Sequence, residues 1–144
     1  MSDKCFLDTN ILVYAIDASP GENQKREIAR KTLKRHIRDE NGVISIQVLQ
    51  EFYQTATLNI QVPLSTREAI EFMHYVSILE TVGPDFHLVV AAIHLHRQYM
   101  LSFWDALILQ SAKIAGCSQV LTEDLQDGFC LEGLTVTNPF KAPL

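Results

Sequence analysis

The sequence predicts an α/β fold with three layers, in which a central parallel sheet lies between two layers of helices. Short apolar segments that are typical of buried strands alternate along the chain with longer segments of helical periodicity. Because parallel strands are joined by crossovers, this alternation favours a parallel sheet with helices on both faces. The chain has 144 residues, the size of one ordinary domain, so we expect a single domain over residues 1–144.

Residues that break or cap helices mark the boundaries between these elements. Asn41-Gly42 ends a basic helix, and Pro63 separates the next two helices. The segment 65–68 has the pattern of a capping box, 102–105 is a variant with Asp in place of Glu, and Gly116 closes the helix that follows. The predicted elements are strand 4–7, helix 9–16, helix 22–38, strand 43–46, helix 47–58, helix 68–79, strand 81–82, helix 83–100, helix 105–115, strand 119–122 and strand 134–137.

The composition is that of a globular protein, with 47% apolar and 20% charged residues. The apolar runs are far shorter than the ~20 residues that span a bilayer, so we expect no membrane contact. Residues 1–4 do not resemble a signal peptide. The three cysteines are too far apart for a zinc site or a disulfide framework, and we therefore expect reduced thiols and a cytoplasmic protein.

Charge is unevenly distributed along the chain. The net charge is −5, yet the segment 24–38 carries seven basic residues and one acid. Two interpretations of this basic helix remain open. It is either a solvated face that aids solubility or a surface that holds an anionic polymer while carboxylates act elsewhere.

Four acids stand at element boundaries: Asp8, Glu51, Asp105 and Asp124. Each also has an ordinary explanation, as a helix cap, a surface residue, the acidic partner of a cap and a turn former, respectively. Because the carboxyl ends of parallel strands meet at one edge of a sheet, we expect the four carboxylates to lie close together. Carboxylates this close together repel one another unless a cation binds them. Their oxygen atoms are ligands that suit Mg²⁺ or Mn²⁺ rather than zinc.

A hard divalent ion at such a site can activate water and stabilise the leaving oxygen of a phosphodiester. The chain contains no P-loop, GxSxG or GxGxxG motif, so NTPase, serine hydrolase and dinucleotide-binding functions lack their usual signatures. The histidines are scattered and form no HExxH motif. The residues therefore favour metal-assisted hydrolysis of a phosphodiester.

Four motifs in order resemble those of the PIN-domain nucleases. The segment 5–14 is similar to the family's opening strand followed by Asp-Thr-Asn, and 48–52, 102–108 and 120–125 are similar to its second, third and fourth motifs. Each motif carries one of the four acids. The compact length is most similar to the VapC-type toxins of toxin–antitoxin pairs.

This resemblance implies a Mg²⁺- or Mn²⁺-dependent endoribonuclease that acts as the toxin of a type II pair, with an antitoxin partner and a homodimeric assembly. When the roles known in the family are assigned to the matching positions of the four motifs, the implied metal ligands and catalytic residues are Asp8, Glu51, Asp105 and Asp124. The residues expected to support them are Thr9, Asn10 and Thr122. Glu123 competes with Asp124 for the role of ligand, although the family spacing favours Asp124. Asp127 is either an extra acid near the rim or a turn former.

The resemblance also bears on how RNA is held. Six side chains of the basic helix become candidates for RNA contact: Lys25, Arg26, Arg30, Lys31, Lys34 and Arg35. Four aromatic residues near the motifs have the spacing of core residues, although stacking on bases is the alternative: Phe52, Tyr53, Phe72 and Trp104. In-line attack by water predicts products with a 5′-phosphate and a 3′-hydroxyl.

Three other functions remain as alternatives. The first is a housekeeping RNA-processing nuclease or a DNA-acting relative, which the residues cannot separate from a toxin. The second is a non-catalytic PIN-like module that binds RNA or a partner, although such modules usually lack one of the acids. The third is a phosphoacceptor receiver domain, which requires a pair of acids after the first strand and is disfavoured because Asp8 stands alone there.

Overall fold

The computed structural model describes residues 3–141, which form helices and strands in an alternating order. Their bounds are β1 Cys5–Leu7, α1 Thr9–Ile16, α2 Asn23–Arg38, β2 Gly42–Ser45, α3 Ile46–Leu58, α4 Thr66–Val76, β3 Glu80–Val82, α5 Phe86–Tyr99, α6 Phe103–Ile114, β4 Gln119–Leu121, β5 Cys130–Leu131 and β6 Leu134–Thr137. None of the helices in this part of the chain is both long and apolar enough to cross a membrane.

The six strands form one sheet in the order β3-β2-β1-β4-β6-β5. Every neighbouring pair is parallel except β5 and β6, which are antiparallel. The central strand, β1, pairs with β2 and β4, so that Phe6 lies beside Val43 on one side and Val120 on the other. The carboxyl ends of β1 and β4 are therefore adjacent, as the sequence predicts.

Helices cover the sheet in two groups and give the predicted three-layer architecture. In one group α1 packs against α2 and α3, and in the other α5 packs against α6. The core between them is formed by fully buried side chains such as Phe6, Leu12, Ile44 and Leu109. Burial of each such side chain contributes roughly 1.5–3 kcal/mol, which makes this core the main support of the sheet and of the residues at its edge.

Four helices begin at positions that differ from the prediction because a capping residue sets the first turn. Ser45 accepts a hydrogen bond from the Val48 amide, so Ile46 starts α3 instead of ending β2. Asp85 caps α5, which therefore begins at Phe86 and not at Gly83. Ser102 caps α6, which begins two residues earlier than predicted. The helix predicted over 68–79 spans Thr66–Val76 because Ser65 is its cap, and its capping box with Glu68 is confirmed.

The sequence does not predict strand β5, since the segment between β4 and β6 has the pattern of a loop. Leu131 pairs with Leu134 across a tight hairpin whose two central residues, Glu132 and Gly133, both have positive φ. A two-residue turn of this kind matches the twist of a hairpin. Glu is an unusual residue at the first of these positions, so the turn gives little signal in the sequence.

Of the four aromatic residues, one is buried, one is half-buried and two are exposed. Phe52 is fully buried and stacks on the half-buried Phe72 with the ring centroids 5.0 Å apart, which confirms the core assignment. The core assignment of Tyr53 and Trp104 is wrong, because their exposed fractions are 36% and 65%. Helical spacing gives both residues apolar neighbours. However, Tyr53 is not among the buried residues of α3, although it comes directly after one of them, and Trp104 lies in the exposed first turn of α6.

The three cysteines are free thiols. Cys5 and Cys117 are buried, and burial raises the pKa of both thiols, that of Cys117 to about 12. Both therefore stay protonated at neutral pH and behave as small apolar residues of the core. The free thiols agree with the absence of a disulfide framework in the sequence.

Candidate active site

Asp8 lies at the carboxyl end of β1 and is only 6% exposed. It is the N-cap of α1, and its Oδ1 accepts a hydrogen bond of 2.7 Å from the Thr9 amide. Its Oδ2 accepts a second bond, of 2.9 Å, from the Thr122 hydroxyl at the end of the neighbouring strand β4. The capping role of Asp8 is therefore compatible with the predicted site role, because the cap fixes the carboxylate at the sheet edge.

Asn10 ties the turn after β4 to the first helix. Its Nδ2 donates to the Thr122 hydroxyl at 2.9 Å and to Oδ2 of Asp124 at 3.1 Å. Its Oδ1 accepts from the Glu123 amide at 3.3 Å, and the Thr122 hydroxyl accepts from the Asp124 amide at 3.0 Å. One amide side chain thus orders three consecutive residues, and with them the position of the Asp124 carboxylate.

Glu51 and Asp105 approach the same edge from α3 and α6. Gln47 donates from Nε2 to Glu51 Oε1 at 2.9 Å and to the carbonyl of Trp104 at 3.2 Å, so a single side chain connects the two helices. The Asp105 amide donates to the Ser102 hydroxyl, but the return bond that completes a capping box in α4 is not formed in α6. The Asp105 carboxylate is therefore not committed to the cap.

The pKa values indicate that these carboxylates repel one another. The pKa of Asp8 is raised to about 6, mainly by burial and also by the charges of Asp124 and Glu51, against the lowering effect of its two hydrogen bonds. Burial also raises the pKa of Glu51, and the charges of Asp105 and Asp124 add to that increase. The structure thus places the four acids that the motifs single out near one another, since Asp124 and Glu51 act on Asp8, and Asp105 and Asp124 act on Glu51.

The donor set fits a hard divalent cation. All four acids offer carboxylate oxygens, and the neighbouring Thr9 hydroxyl is buried without a hydrogen-bond partner within residues 3–141. Oxygen ligands of this kind suit Mg²⁺ or Mn²⁺. In the part of the chain that the structure describes, no three His, Cys, Asp or Glu side chains already converge on one point. The residues present therefore provide suitable oxygen donors around a cleft rather than a closed cage.

A cleft of about 580 Å³ opens along α1 and α3 at this edge of the sheet. Its wall includes Thr9, Asn10, Glu51 and Asp124, so three of the four motifs contribute to it. The cleft continues beyond the carboxylates towards the loop that follows α1. It is large enough for an extended ligand to pass the carboxylates of Glu51 and Asp124, whereas Asp8 and Asp105 lie outside its wall.

Glu123 makes an ion pair beside the site. Its Oε1 accepts a hydrogen bond from the Tyr14 hydroxyl, and its Oε2 lies 2.9 Å from Lys25 Nζ. This pair raises the pKa of Lys25, and Lys25 also lies over the Tyr14 ring at 4.8 Å from its centroid. Both oxygens of Glu123 are therefore engaged, which favours Asp124 over Glu123 as a ligand.

Asp127 has the role of a turn residue. Its Oδ1 accepts a hydrogen bond of 2.8 Å from the Asn138 amide, and its Oδ2 lies 3.5 Å from Lys141 Nζ. These bonds connect the segment after β4 to the end of β6. Of the two interpretations of Asp127, the structure supports the turn.

The basic helix α2 divides into two groups of side chains. Lys25 is paired with Glu123, Arg26 donates to the carbonyl of Asp17, and Arg30 donates to the carbonyl of Ala15. These three bonds attach α2 to α1, its following loop and the turn after β4. The remaining candidates for RNA contact are exposed on the outer face of the helix, and these are Lys31, Lys34 and Arg35.

The sequence does not identify three residues of the site, namely Gln47, Tyr14 and Lys25 in its role beside Glu123. Gln47 lies four residues before Glu51 on one helix, a spacing at which Gln and an acid pair favourably, so a local signal is present. The bonds of Tyr14 and Lys25 to Glu123 span 109 and 98 residues of sequence. No pattern along a single sequence reveals a contact of that separation.

Comparison with known proteins agrees with this arrangement. The family model of the PIN domain matches residues 5–129. A comparison with curated protein sequences finds no match.

Several solved structures are similar to this one. A toxin–antitoxin complex from Klebsiella pneumoniae has a TM-score of 0.69 and 18% identity, covering 96% of this chain and 100% of that one. DNA-bound VapBC from Salmonella typhimurium has a TM-score of 0.68 and 19% identity, with 96% and 99% covered. VapC20 from Mycobacterium tuberculosis, described as a toxin that cleaves the sarcin–ricin loop, has a TM-score of 0.61 and 17% identity, with 81% and 87% covered. At these identities the similarity establishes a shared fold, and since the family model covers most of the sequence, this chain belongs to the PIN domain family.

Proposed function

We propose that the chain is a divalent-metal-dependent endoribonuclease that hydrolyses RNA phosphodiester bonds. The observation that carries the proposal is the proximity of Asp8, Glu51, Asp105 and Asp124 at one edge of the sheet, where burial and neighbouring charges raise the pKa of Asp8 and Glu51. Membership of the PIN domain family supports the same chemistry. An all-carboxylate site suits phosphodiester hydrolysis, which needs charge stabilisation and an oriented water more than a nucleophilic side chain.

The four carboxylates are the proposed catalytic residues and the proposed ligands of Mg²⁺ or Mn²⁺. A bound ion of this kind supplies an acidified water molecule and stabilises the charge that develops on phosphate. Thr122 and Thr9 hold Asp8 through the bonds to its two oxygens, and Asn10 holds Asp124. These supporting residues fix the orientation of the carboxylates, a role that typically affects metal affinity or activity by about 10- to 100-fold.

The products distinguish hydrolysis by water from attack by the ribose. In-line attack by water leaves a 5′-phosphate and a 3′-hydroxyl. Attack by the 2′-hydroxyl would instead leave a cyclic phosphate. We therefore expect 5′-phosphorylated fragments.

The chain is further proposed to be the toxin of a type II toxin–antitoxin pair. The support is the fold that it shares with structures described as toxin–antitoxin or VapBC complexes. On this proposal it works in the cytoplasm, forms a homodimer and is inhibited by a protein antitoxin. Expression that halts growth, and is relieved by a small protein encoded next to this one, would support a toxin; normal growth with active enzyme would favour a housekeeping nuclease.

The direct test of the nuclease is cleavage of cellular RNA with Mg²⁺, with Mn²⁺ and with EDTA. Wild type is compared with Asp8→Asn and Asp105→Asn, which remove one charge and little volume. Asp127→Asn is the matched control, because Asp127 bonds to a turn away from the cleft. We expect metal-dependent cleavage that both site variants lose and the control keeps. Cleavage that persists in both site variants, or in EDTA, would refute the proposal.

A further inference from the structure

A second and smaller cavity shares a wall with the cleft. It measures about 170 Å³ and lies where β2 and β3 end and α5 and α6 begin. We call it the rim pocket, and its main lining residues are Gln47, Gln50, Val82, Pro84, Val89 and Trp104. Gln50 lines both cavities, so a ligand that lies in the cleft can reach the rim pocket without leaving the surface.

Trp104 forms the exposed side of the rim pocket. Its side chain is 65% exposed although it is the largest apolar group in the chain. The ring of Phe103 contacts it edge-on, with centroids 5.3 Å apart at an angle of 68°. A large aromatic surface left open in this way, next to a site, is typical of a position that binds a ligand.

The rim pocket is held in a fixed position relative to the carboxylates. Trp104 directly precedes Asp105 in the first turn of α6. The Gln47 amide donates to the Trp104 carbonyl at 3.2 Å and to Glu51 at 2.9 Å. Trp104 is therefore adjacent in sequence to Asp105, one of the proposed metal ligands. The side chain of Gln47 links Trp104 to Glu51, another proposed ligand.

The chemistry of the lining indicates what kind of group enters. The side chains around the rim pocket are uncharged, so the pocket does not attract a phosphate. Its walls are mostly apolar, while the exposed Gln50 amide makes no hydrogen bond to another residue of the described chain and so offers both a donor and an acceptor. A flat, neutral and heteroaromatic group with polar edges satisfies all of these features.

We propose that the rim pocket binds one unpaired base of the RNA strand, stacked on Trp104, while the adjoining phosphate lies at the carboxylates. The inference rests on the proposed ribonuclease function and identifies the part of the enzyme that selects the RNA substrate. Single-stranded RNA is commonly bound by stacking of splayed bases on aromatic side chains, combined with contacts to base edges. The pocket accepts a base only where the strand is unpaired, so this site favours loops and single strands over duplex.

The test uses the fluorescence of Trp104, which is the only tryptophan in the sequence. The full chain in EDTA is titrated with a short single-stranded RNA that spans a site mapped from cleaved cellular RNA, or with a pool of RNA hexamers if no site is found. Base stacking is expected to change the emission of Trp104 until it reaches a plateau as the RNA concentration rises. An oligonucleotide of the same length that lacks the base next to the scissile phosphate is expected to leave the emission unchanged.

Kinetics on the same RNA separate binding from positioning. Trp104→Ala is expected to raise KM by about 5- to 150-fold, the range for loss of one stacked base, with kcat changed by less than about threefold. Trp104→Phe is expected to keep most of the affinity. Ile78→Ala is the control, since Ile78 is 73% exposed and lines a different pocket, with Lys4 and Gly42.

Each alternative result has a distinct meaning. A fall in kcat at unchanged KM would mean that Trp104 acts only through Asp105, and would overturn the base site. Constant emission with an RNA that wild type cleaves would overturn the base site and leave the nuclease intact. Saturable quenching without any cleavage would support the base site and refute the nuclease. An emission change that follows protein concentration and not RNA would mean that a second copy covers Trp104, which also overturns the proposal.

Discussion

Asn10 and Asp124 are 114 residues apart in sequence, yet the amide of one lies 3.1 Å from the carboxylate of the other. The two side chains meet because β1 and β4 are parallel neighbours, so that both residues follow strands that end at the same edge. Asn10 also bonds to Thr122 and to the Glu123 amide. The position of the fourth acid is thus set by the second residue of the first helix.

Replacement of Asn10 by alanine is expected to disorder the turn that carries Asp124. The substitution removes three hydrogen bonds and changes little buried apolar surface, so the expected fall in cleavage rate or metal affinity is about 10- to 100-fold. Steady-state cleavage at several Mn²⁺ concentrations measures it, with Asn59→Ala as the control on an exposed Asn after α3. Activity equal to wild type would show that Asn10 does not order the site.

The raised pKa of Asp8 predicts an unusual pH dependence of stability in the metal-free protein. The ordinary pKa of 3.8 rises to about 6 on folding, so the folded state prefers protonated Asp8. The stabilisation from this proton is complete below about pH 4 and is lost as the pH rises through about 6, and two pKa units correspond to roughly 3 kcal/mol. Asp8→Asn removes this penalty and is expected to make the metal-free protein more stable than wild type at pH 7.5, but not at pH 4.

Urea unfolding in EDTA at the two pH values measures that difference. Asp39→Asn, on an acid at the exposed end of α2, is the control and should show no such crossover. Addition of Mn²⁺ at pH 7.5 should stabilise wild type more than it stabilises Asp8→Asn. If Asp8→Asn is less stable than wild type at both pH values in EDTA, burial and repulsion do not destabilise the ionised carboxylate of Asp8.

Glu123 and Asp124 are adjacent in sequence, and substitution of each one tests which of them is the metal ligand. We expect Glu123 only to form the ion pair with Lys25 and Asp124 to be the ligand. Glu123→Gln keeps an acceptor for Tyr14 or Lys25, and we expect activity within about threefold of wild type and a stability change below about 1 kcal/mol, since the pair with Lys25 is partly exposed. Asp124→Asn removes a proposed ligand charge and is expected to lower activity by at least about 100-fold. The reverse ranking of the two variants would assign the ligand role to Glu123.

The outer face of α2 is expected to contact RNA through Lys31, Lys34 and Arg35. The inner basic residues are bonded to α1, its following loop or Glu123, whereas these three make no such bonds to α1 within the described residues. A triple substitution to Glu should weaken RNA binding and reduce the dependence of log K on log salt by about 0.7 for each phosphate that the protein no longer neutralises. Binding isotherms at several salt concentrations measure both. An unchanged slope would mean that the face only aids solubility.

The sequence is most informative where local patterns and strand order act together. Apolar runs and caps locate β1, β2 and β4, and the parallel order brings Asp8 and Asp124 to one edge. The motif resemblance then identifies Glu51 and Asp105. Local chemistry also predicts the Ser65–Glu68 capping box, which the structure contains.

The remaining features depend on contacts that leave no local signal. The exposure of Trp104 depends on which face of α6 packs against α5, and helical spacing alone does not decide it. The pairing of Glu123 with Tyr14 and Lys25 joins three distant segments. The strand β5 has only two residues and exists because Leu134 lies opposite Leu131, so it has no periodicity of its own to detect.

Asp8 and Asp105, which come from different motifs, are expected to act on the same divalent ion. The most direct measurement is Mn²⁺ binding, followed by the loss of the free-ion electron paramagnetic resonance signal, in wild type, Asp8→Asn, Asp105→Asn and the Asp127→Asn control at pH 7.5. We predict that each site variant weakens binding by at least about tenfold while the control binds as wild type does. Equal Mn²⁺ affinity in all four proteins would contradict the account, because the carboxylates at the sheet edge would then not be the ligands.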